Sequence, residues 1–203
     1  MPRQIKAKRV KPVVGGIISG GLSSRMGRPK EQIILPDGRS MIQTVMDALL
    51  AICNEIVIAG PEAPLQLVED ERVHFVKDNF PGAGPLAGVE SILSTGLANG
   101  YIIVACDQPL LTADLLKSLV PDNRRMPCFF DLEDEGYIQP FPGYYPVSWL
   151  PDIRDSLRRN HRALKTLIAS SQVIMKPIEA ADVKLLQSIN TEEELSRLTS
   201  FSG

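Results

Sequence analysis

An α/β fold with a mostly parallel central sheet, helices on both faces and a small C-terminal hairpin-and-helix lobe is what this sequence predicts. Three observations point to it. Four short apolar runs, VVGGII (13–18), EIVIA (55–59), VHFVK (73–77) and YIIVA (101–105), recur through the first half. Segments with apolar residues at helical spacing lie between them, the βαβ order of a parallel sheet covered on both faces. The length of 203 residues suits one domain able to bury about 70% of its unfolded surface.

Local signals place the elements. Ser40 is expected to cap a helix that carries Ile42, Val45, Met46, Leu49 and Leu50 on one face. Gly84-Pro85 opens a second helix, with Leu86, Val89, Leu93 and Leu97 on one side. Thr112 starts a third. In the second half, MPCFFDLEDEGYIQPF (126–141) reads as two strands around an acidic turn at 134–136. Helices at about 150–159 and 162–170 follow, then a strand, VIMKPI (173–178). Thr191 and Glu194 have the spacing of a capping box. Residues 12–203 therefore read as one domain, preceded by a basic extension at 1–11.

That extension carries Arg3, Lys6, Lys8, Arg9 and Lys11 and no acid. Removing those five from the 22 basic side chains leaves 17 against 24 acidic ones, a net of −7 on the body. An acidic body argues against a general nucleic-acid partner. The apolar run at 13–18 is far shorter than the roughly 20 residues of a membrane span. Cys53, Cys106 and Cys128 have no metal-binding or disulfide spacing, which fits a reducing compartment. The expectation is a cytoplasmic protein with no membrane partner.

In a parallel sheet, ligands bind beyond the carboxyl ends of the strands. Three turns there carry chemistry. The first is Ser19-Gly20-Gly21-Leu22-Ser23-Ser24-Arg25-Met26-Gly27-Arg28-Pro29-Lys30. Adjacent glycines let backbone N–H groups approach phosphate oxygens, and Arg25 and Lys30 add positive charge. It is neither a Walker A loop nor a GxGxxG turn. Spacing alone leaves it open between a phosphate cradle and a surface turn. The second is Ala105-Cys106-Asp107-Gln108-Pro109, where Asp107 can hold Mg²⁺ against substrate phosphates or simply cap the turn. Cys106 reads as a small buried residue. The third is 78–88, DNFPGAGPLAG, in which Asp78 can accept hydrogen bonds from a base or ribose and close glycines admit a planar ring. It also reads as a plain helix start.

Taken together, GGLSSRMGRPK, GPLAG and CDQP resemble the nucleotidyltransferases of molybdenum cofactor biosynthesis, most closely the molybdenum cofactor guanylyltransferase family. The tail Ile189-Asn190-Thr191 resembles that family's closing motif. The resemblance implies a Rossmann-like nucleotidyltransferase fold, with a nucleotide-binding half at 12–122 and an acceptor-binding half at 123–203. It implies transfer of GMP from GTP to molybdopterin with release of pyrophosphate, and Mg²⁺ as cofactor. By position, Ser19, Gly20, Gly21, Arg25 and Lys30 would bind the triphosphate, and Arg25, Lys30 and Asp107 would be catalytic. Asp78, Gly84, Pro85, Leu86 and Gly88 would lie near the base and ribose. Asp107 would be the metal ligand, and Asn190 and Gln139 would face the acceptor. Ser188 stands where the family has an asparagine, and Ala59-Gly60-Pro61 stands where it often has another. Two neighbouring readings accompany this one. One is a relative with another base or acceptor, such as a molybdopterin cytidylyltransferase or a sugar-phosphate nucleotidyltransferase. The other is a non-catalytic nucleotide-binding adaptor.

Other candidates have plainer readings beside them. His74 reads as packed or edge-exposed, and His161 as a solvated helix end. Arg154, Arg158, Arg159, Arg162 and Lys165 form either a phosphate or partner site or a charged helix face. Tyr144, Tyr145 and Trp149 border a pterin slot or belong to the core.

Overall fold

The computed structural model describes residues 13–20, 33–63, 70–132 and 138–198. The strands expected in the first half all form: β1 (Val14–Ile18), β2 (Ile56–Gly60), β3 (Val73–Lys77) and β4 (Gly100–Ala105). Between and after them stand α1 (Met41–Leu50), α2 (Pro85–Ser94) and α3 (Ala113–Ser118). The second half supplies β5 (Cys128–Asp131), β6 (Gly143–Pro146), α4 (Leu150–Arg158), α5 (Leu164–Ser170), β7 (Ile174–Pro177) and α6 (Glu192–Leu198).

All seven strands join one sheet in the order β3-β2-β1-β4-β6-β5-β7. β1 pairs in parallel with β2 and β4, and β3 is parallel to β2. β6 alone runs antiparallel, between β4 and β5, and β7 is parallel to β5. The expected hairpin strands thus extend the central sheet. The second of them starts at Gly143, beyond the 126–141 window, and Ile138–Pro140 is irregular. A reversed β6 begins at the carboxyl edge of β1 and β4, so residues 138–142 are delivered to that edge.

Alternate residues sort cleanly onto two faces. Ile102 and Val104 of β4 pack with α1 and α3 through Val45, Leu49, Leu115 and Leu116. Tyr101 and Ile103 pack the other way, with α2, α4 and α5 through Leu86, Ile92, Ile153 and Ile168. That period of two is what the pleat dictates. Tyr144 and Tyr145 are fully buried on opposite faces, and Trp149 is nearly so. Tyr145 meets Phe129 edge-on at 5.3 Å, and its hydroxyl donates to the Pro140 carbonyl at 2.7 Å. Tyr144 and Tyr145 are core, while Trp149 also lines a cleft of about 830 Å³ with Ser148, Asp152 and Thr166.

Capping signals act as expected. Ser40 and Gln43 form a reciprocal capping box at α1. Thr112 Oγ1 accepts from Leu115 N at the start of α3. Thr191 accepts from Glu194 N, while the Glu194 carboxylate accepts from Thr191 N and Asn190 N. Those bonds hold the Glu194 carboxyl below its ordinary pKa. α2 ends at Ser94, and Gly96 turns left-handed with φ 67°, so Leu97 leaves the helical face expected for it and lies exposed.

One polar cluster crosses the apolar layer. Glu90 of α2 is 1% exposed, and its Oε1 accepts from Arg154 Nε of α4 at 2.7 Å. Ser94 Oγ also donates to Oε1, Arg154 donates to Ser94 Oγ, and Asn79 Nδ2 donates to Oε2. Arg154 is thereby spent on the fold and does not join a basic cluster. No described helix is long and apolar enough to cross a membrane.

A buried carboxylate deprived of its partner is costly, so Arg154→Ala is expected to destabilise the protein by about 3 kcal/mol. Chemical denaturation monitored by circular dichroism measures this directly.

Candidate functional site

The parallel strands β3, β2, β1 and β4 end on one edge, and each end presents a residue singled out above. Ser19 and Gly20 follow β1, Gly60 ends β2, Asp78 follows β3, and Cys106-Asp107 follows β4. The ends are tied together: Ser19 N donates to Ala59 O at 2.7 Å and Cys106 N to Ile18 O at 3.1 Å. Cys106 is buried, as expected of a small packing residue.

β1 and β2 approach unusually closely here. A Cβ built on Gly60 would lie 2.5 Å from the Ser19 carbonyl oxygen. Gly20 has φ 108°, and its own Cβ would lie 2.6 Å from Pro61 Cδ. Gly60 is therefore the residue that lets the turn after β1 fold over the end of β2. The sequence reading marked Gly60 only as a departure from a family pattern, because a clash across two strands leaves no local trace.

Asp78 and Asp107 stand at opposite ends of this edge. Three strand spacings separate β3 from β4, roughly 14 Å. They do not share a metal, and no cluster of three or more metal-binding side chains occurs among the described residues. Asp78 Oδ1 is buried and accepts no hydrogen bond from the described residues. Burial pushes the Asp78 carboxyl above its ordinary pKa. A carboxylate held without compensation beside an open glycine turn is a binding group waiting for donors.

The loop from Asp78 to α2 is pinned from below. Asn79 N donates to Ser91 Oγ and Ala83 N to Phe80 O. Gly82 and Gly84 both take left-handed φ, 73° and 71°, and a Cβ at either would meet nothing within 4 Å. Gly84 and Pro85 are exposed at the site. Leu86 and Gly88 turn inward: Leu86 is fully buried, and a Cβ on Gly88 would lie 2.7 Å from Ile18 Cδ1. Their contribution there is to seat α2 on β1.

At the other end, Gln108 is 1% exposed and spends its whole amide on the backbone. Its Oε1 accepts from Ala105 N, and its Nε2 donates to Phe141 O and Leu186 O. Gln139 Nε2 donates to the same Leu186 carbonyl at 2.9 Å. Ile189 N donates to Asp107 O at 2.8 Å, which sets Asn190 one residue from the Asp107 turn. Gln139, Lys184, Gln187 and Ser188 line a cleft of about 340 Å³ beside this segment. Gln108 was quoted within a motif but given no role. Its partners lie 33 and 78 residues away, beyond any local pattern.

Ser19, Gly20, Asp107 and Asn190 thus come together at the ends of β1 and β4, while Asp78, Gly84 and Pro85 gather at β3. Gln139 stands behind the tail and braces it. Gly21, Arg25 and Lys30 lie outside the described residues, as do the 1–11 extension and the acidic turn at 134–136. Of the remaining basic candidates, Arg159, His161 and Arg162 line one cleft of about 830 Å³. Arg159 pairs with Asp155 on α4, and Arg162 reaches the loop after β3. His161 is exposed after α4, and His74 pairs with Glu55 on the edge strand β3 at 3.0 Å.

Two outcomes test this geometry. Gly60→Ala is expected to cost about 1–3 kcal/mol, because backbone must move to admit the methyl. A thermal melt of the variant checks it. A carboxyl whose folded pKa is raised contributes stability at acid pH that is lost as pH rises through that pKa. Asp78→Asn should therefore leave the ligand-free protein more stable than wild type at pH 7. That advantage should shrink as pH falls through the carboxylate range, in paired melts from pH 7 to 3.

Comparisons with known proteins identify the family and the fold. A family model described as the MobA-like NTP transferase domain matches residues 15–174. A probable molybdenum cofactor guanylyltransferase of Rhodopirellula baltica is 30% identical over 193 residues, covering 91% of this chain and 90% of the relative. The molybdenum cofactor guanylyltransferase of Desulfosudis oleivorans is 27% identical, covering 91% and 93%. Among solved structures, molybdopterin-guanine dinucleotide biosynthesis protein A from Archaeoglobus fulgidus superposes with a TM-score of 0.78 at 18% identity, over 93% and 98% of the two chains. The 2-C-methyl-D-erythritol 4-phosphate cytidylyltransferase of Francisella tularensis superposes at 0.71 with 10% identity, over 93% and 99%. These two likenesses establish a shared fold. With its family model spanning β1 to the start of β7, the chain belongs to the MobA-like NTP transferase family.

Proposed function

We propose that this protein transfers GMP from GTP to molybdopterin, releasing pyrophosphate. The observation that carries the proposal is the tie between Ile189 N and Asp107 O. It brings the backbone next to Asn190 against the main chain of Asp107, at the carboxyl end of β4. The relatives from Rhodopirellula baltica and Desulfosudis oleivorans bear the guanylyltransferase name over nine-tenths of this chain.

In this reading the nucleotide lies along the carboxyl edge. Asp78 and the turn at Gly84-Pro85 receive the base and ribose. Gly20 and Gly21 offer backbone N–H groups to the triphosphate, Ser19 anchors that turn by giving its own N–H to Ala59 O, and Arg25 and Lys30 neutralise it. The roughly 14 Å between β3 and β4 suits a ligand with its base at one end and its phosphates at the other. Asp107 is the ligand for a divalent cation, Mg²⁺. Mg²⁺ is commonly held by one or two carboxylates together with substrate phosphates, so a single aspartate fits it. When bound, the ion withdraws charge from the phosphate oxygens. Asn190 and Gln139 stand on the acceptor side, near the cleft at Lys184 and Ser188.

An oxygen of the acceptor's phosphate forms a bond to the α-phosphorus of GTP. The bond from that phosphorus to the bridging oxygen breaks, and pyrophosphate leaves with the electron pair. The nucleophile is already anionic, so no general base is needed, and neither His74 nor His161 stands at the site. The protein's work is alignment and neutralisation of charge.

Wild-type protein with GTP, Mg²⁺ and molybdopterin should release pyrophosphate, measured by a coupled phosphate assay, with CTP as the competing nucleotide. Asp107→Ala should lower turnover roughly 10²–10³-fold with the fold intact. Absence of product with either nucleotide would overturn the enzyme reading, and preference for CTP would replace the guanine assignment.

A further inference from the structure

The link between α4 and α5 opens on the left-handed cap that ends α4. Asn160 has φ 61°, the only non-glycine left-handed residue among those described. Asparagine tolerates that region better than most residues, yet it is still a minority conformation. Here it closes α4: Asn160 N donates to Leu157 O and His161 N to Ser156 O, the paired bonds of a left-handed helix cap, and the same turn presents the side chain. Asn160 Oδ1 accepts from Arg162 Nε at 2.8 Å, and Arg162 Nη1 donates to Gly82 O at 2.9 Å. Asn160, Arg162 and Gly82 are all exposed, so burial does not account for the arrangement.

Gly82 lies midway along the loop that joins Asp78 to α2. That loop is already anchored on its inner side by Asn79, through Ser91 Oγ and Glu90 Oε2. Its outer side contains two left-handed glycines, and glycine is the residue that most readily abandons one conformation for another. Arg162 supplies the outer anchor. One guanidinium edge is held by Asn160, and the other closes on a carbonyl of the flexible stretch. One anchor reaches α2 and the other the α4–α5 link, and Glu90 and Arg154 already bind α2 to α4.

We propose that Arg162, oriented by Asn160, is a positioning residue for nucleotide binding. It latches the 79–84 loop so that Asp78 and Gly84 are preset to receive the base and ribose. The proposal rests on the reading of this edge as a GTP site. The latch acts before chemistry, so it governs affinity and leaves the reacting phosphates alone. Pre-ordering a loop of this kind raises affinity by removing the cost of ordering it on binding.

Two variants separate the latch from a direct charge effect. Arg162→Gln removes the guanidinium. Asn160→Gly keeps Arg162 and its charge, fits a backbone φ of 61° without strain, and removes only the orienting oxygen. Both residues are exposed, so both variants should melt within a few degrees of wild type. Each should weaken GTP binding about three- to tenfold by calorimetry with Mg²⁺, the loss expected for one exposed hydrogen bond of ordinary strength. KM for GTP should rise to match, with kcat within twofold. Amide hydrogen exchange at Gly82 and Ala83 should quicken in both variants without nucleotide. GTP affinity unchanged in either variant, or exchange unchanged in both, would overturn the latch. Loss in Arg162→Gln alone would overturn it in favour of direct contact with the nucleotide. Failure of the wild-type protein to bind GTP would instead overturn the reading of the site, a result visible before any variant is made.

Discussion

A single buried amide holds the two halves of this molecule to one edge. Gln108 follows the catalytic candidate Asp107 by one residue, and its side chain reaches three backbone groups on three separate segments. Without those bonds a carboxamide at 1% exposure would be prohibitively costly. With them, the turn after β4, the approach to β6 and the segment before α6 become one unit. The placement of Asn190 beside Asp107 follows, because Ile189 is carried in with Leu186.

The topology explains why such an anchor can exist. Four parallel strands deliver four turns to the carboxyl edge. Reversing one strand, β6, brings the loop ahead of it to the same edge, and returning to parallel in β7 sends residues 183–190 there as well. Residues some 80 positions downstream of β4 thus reach that edge through the sheet itself. They need only a sheet that reverses once.

The site also sits on features that oppose stability when considered alone. Asp78 Oδ1 is buried without a donor among the described residues, and β1 and β2 are pressed together at Gly60. Each is held by a strong neighbour. The α2–α4 cluster around Glu90 clamps the base of the Asp78 loop, and the sheet fixes Gly60 from both sides. Local strain persisting where the surroundings over-determine it is a common mark of a binding edge.

What was legible in the sequence was local. Periodicity of two and of 3.6 gave the strands and helices of the first half, because burial on both faces is written into each short segment. Ser40, Thr112 and the Thr191–Glu194 pair announced helix starts, since a cap and its partner are at most four residues apart. The motifs at 19–30, 78–88 and 105–109 identified the turns that carry the chemistry, and with them the family. The structure alone decided what depends on distance in the chain. It moved the second hairpin strand to Gly143–Pro146 and placed it against β4. It withdrew Leu86 and Gly88 into the core, paired Arg154 with Glu90, and turned Gln108 and Gly60 into organising residues. Hydrogen bonds spanning 33 and 78 residues, and a methyl-sized gap between two strands, have no signature in any local window. They exist only once the sheet has closed.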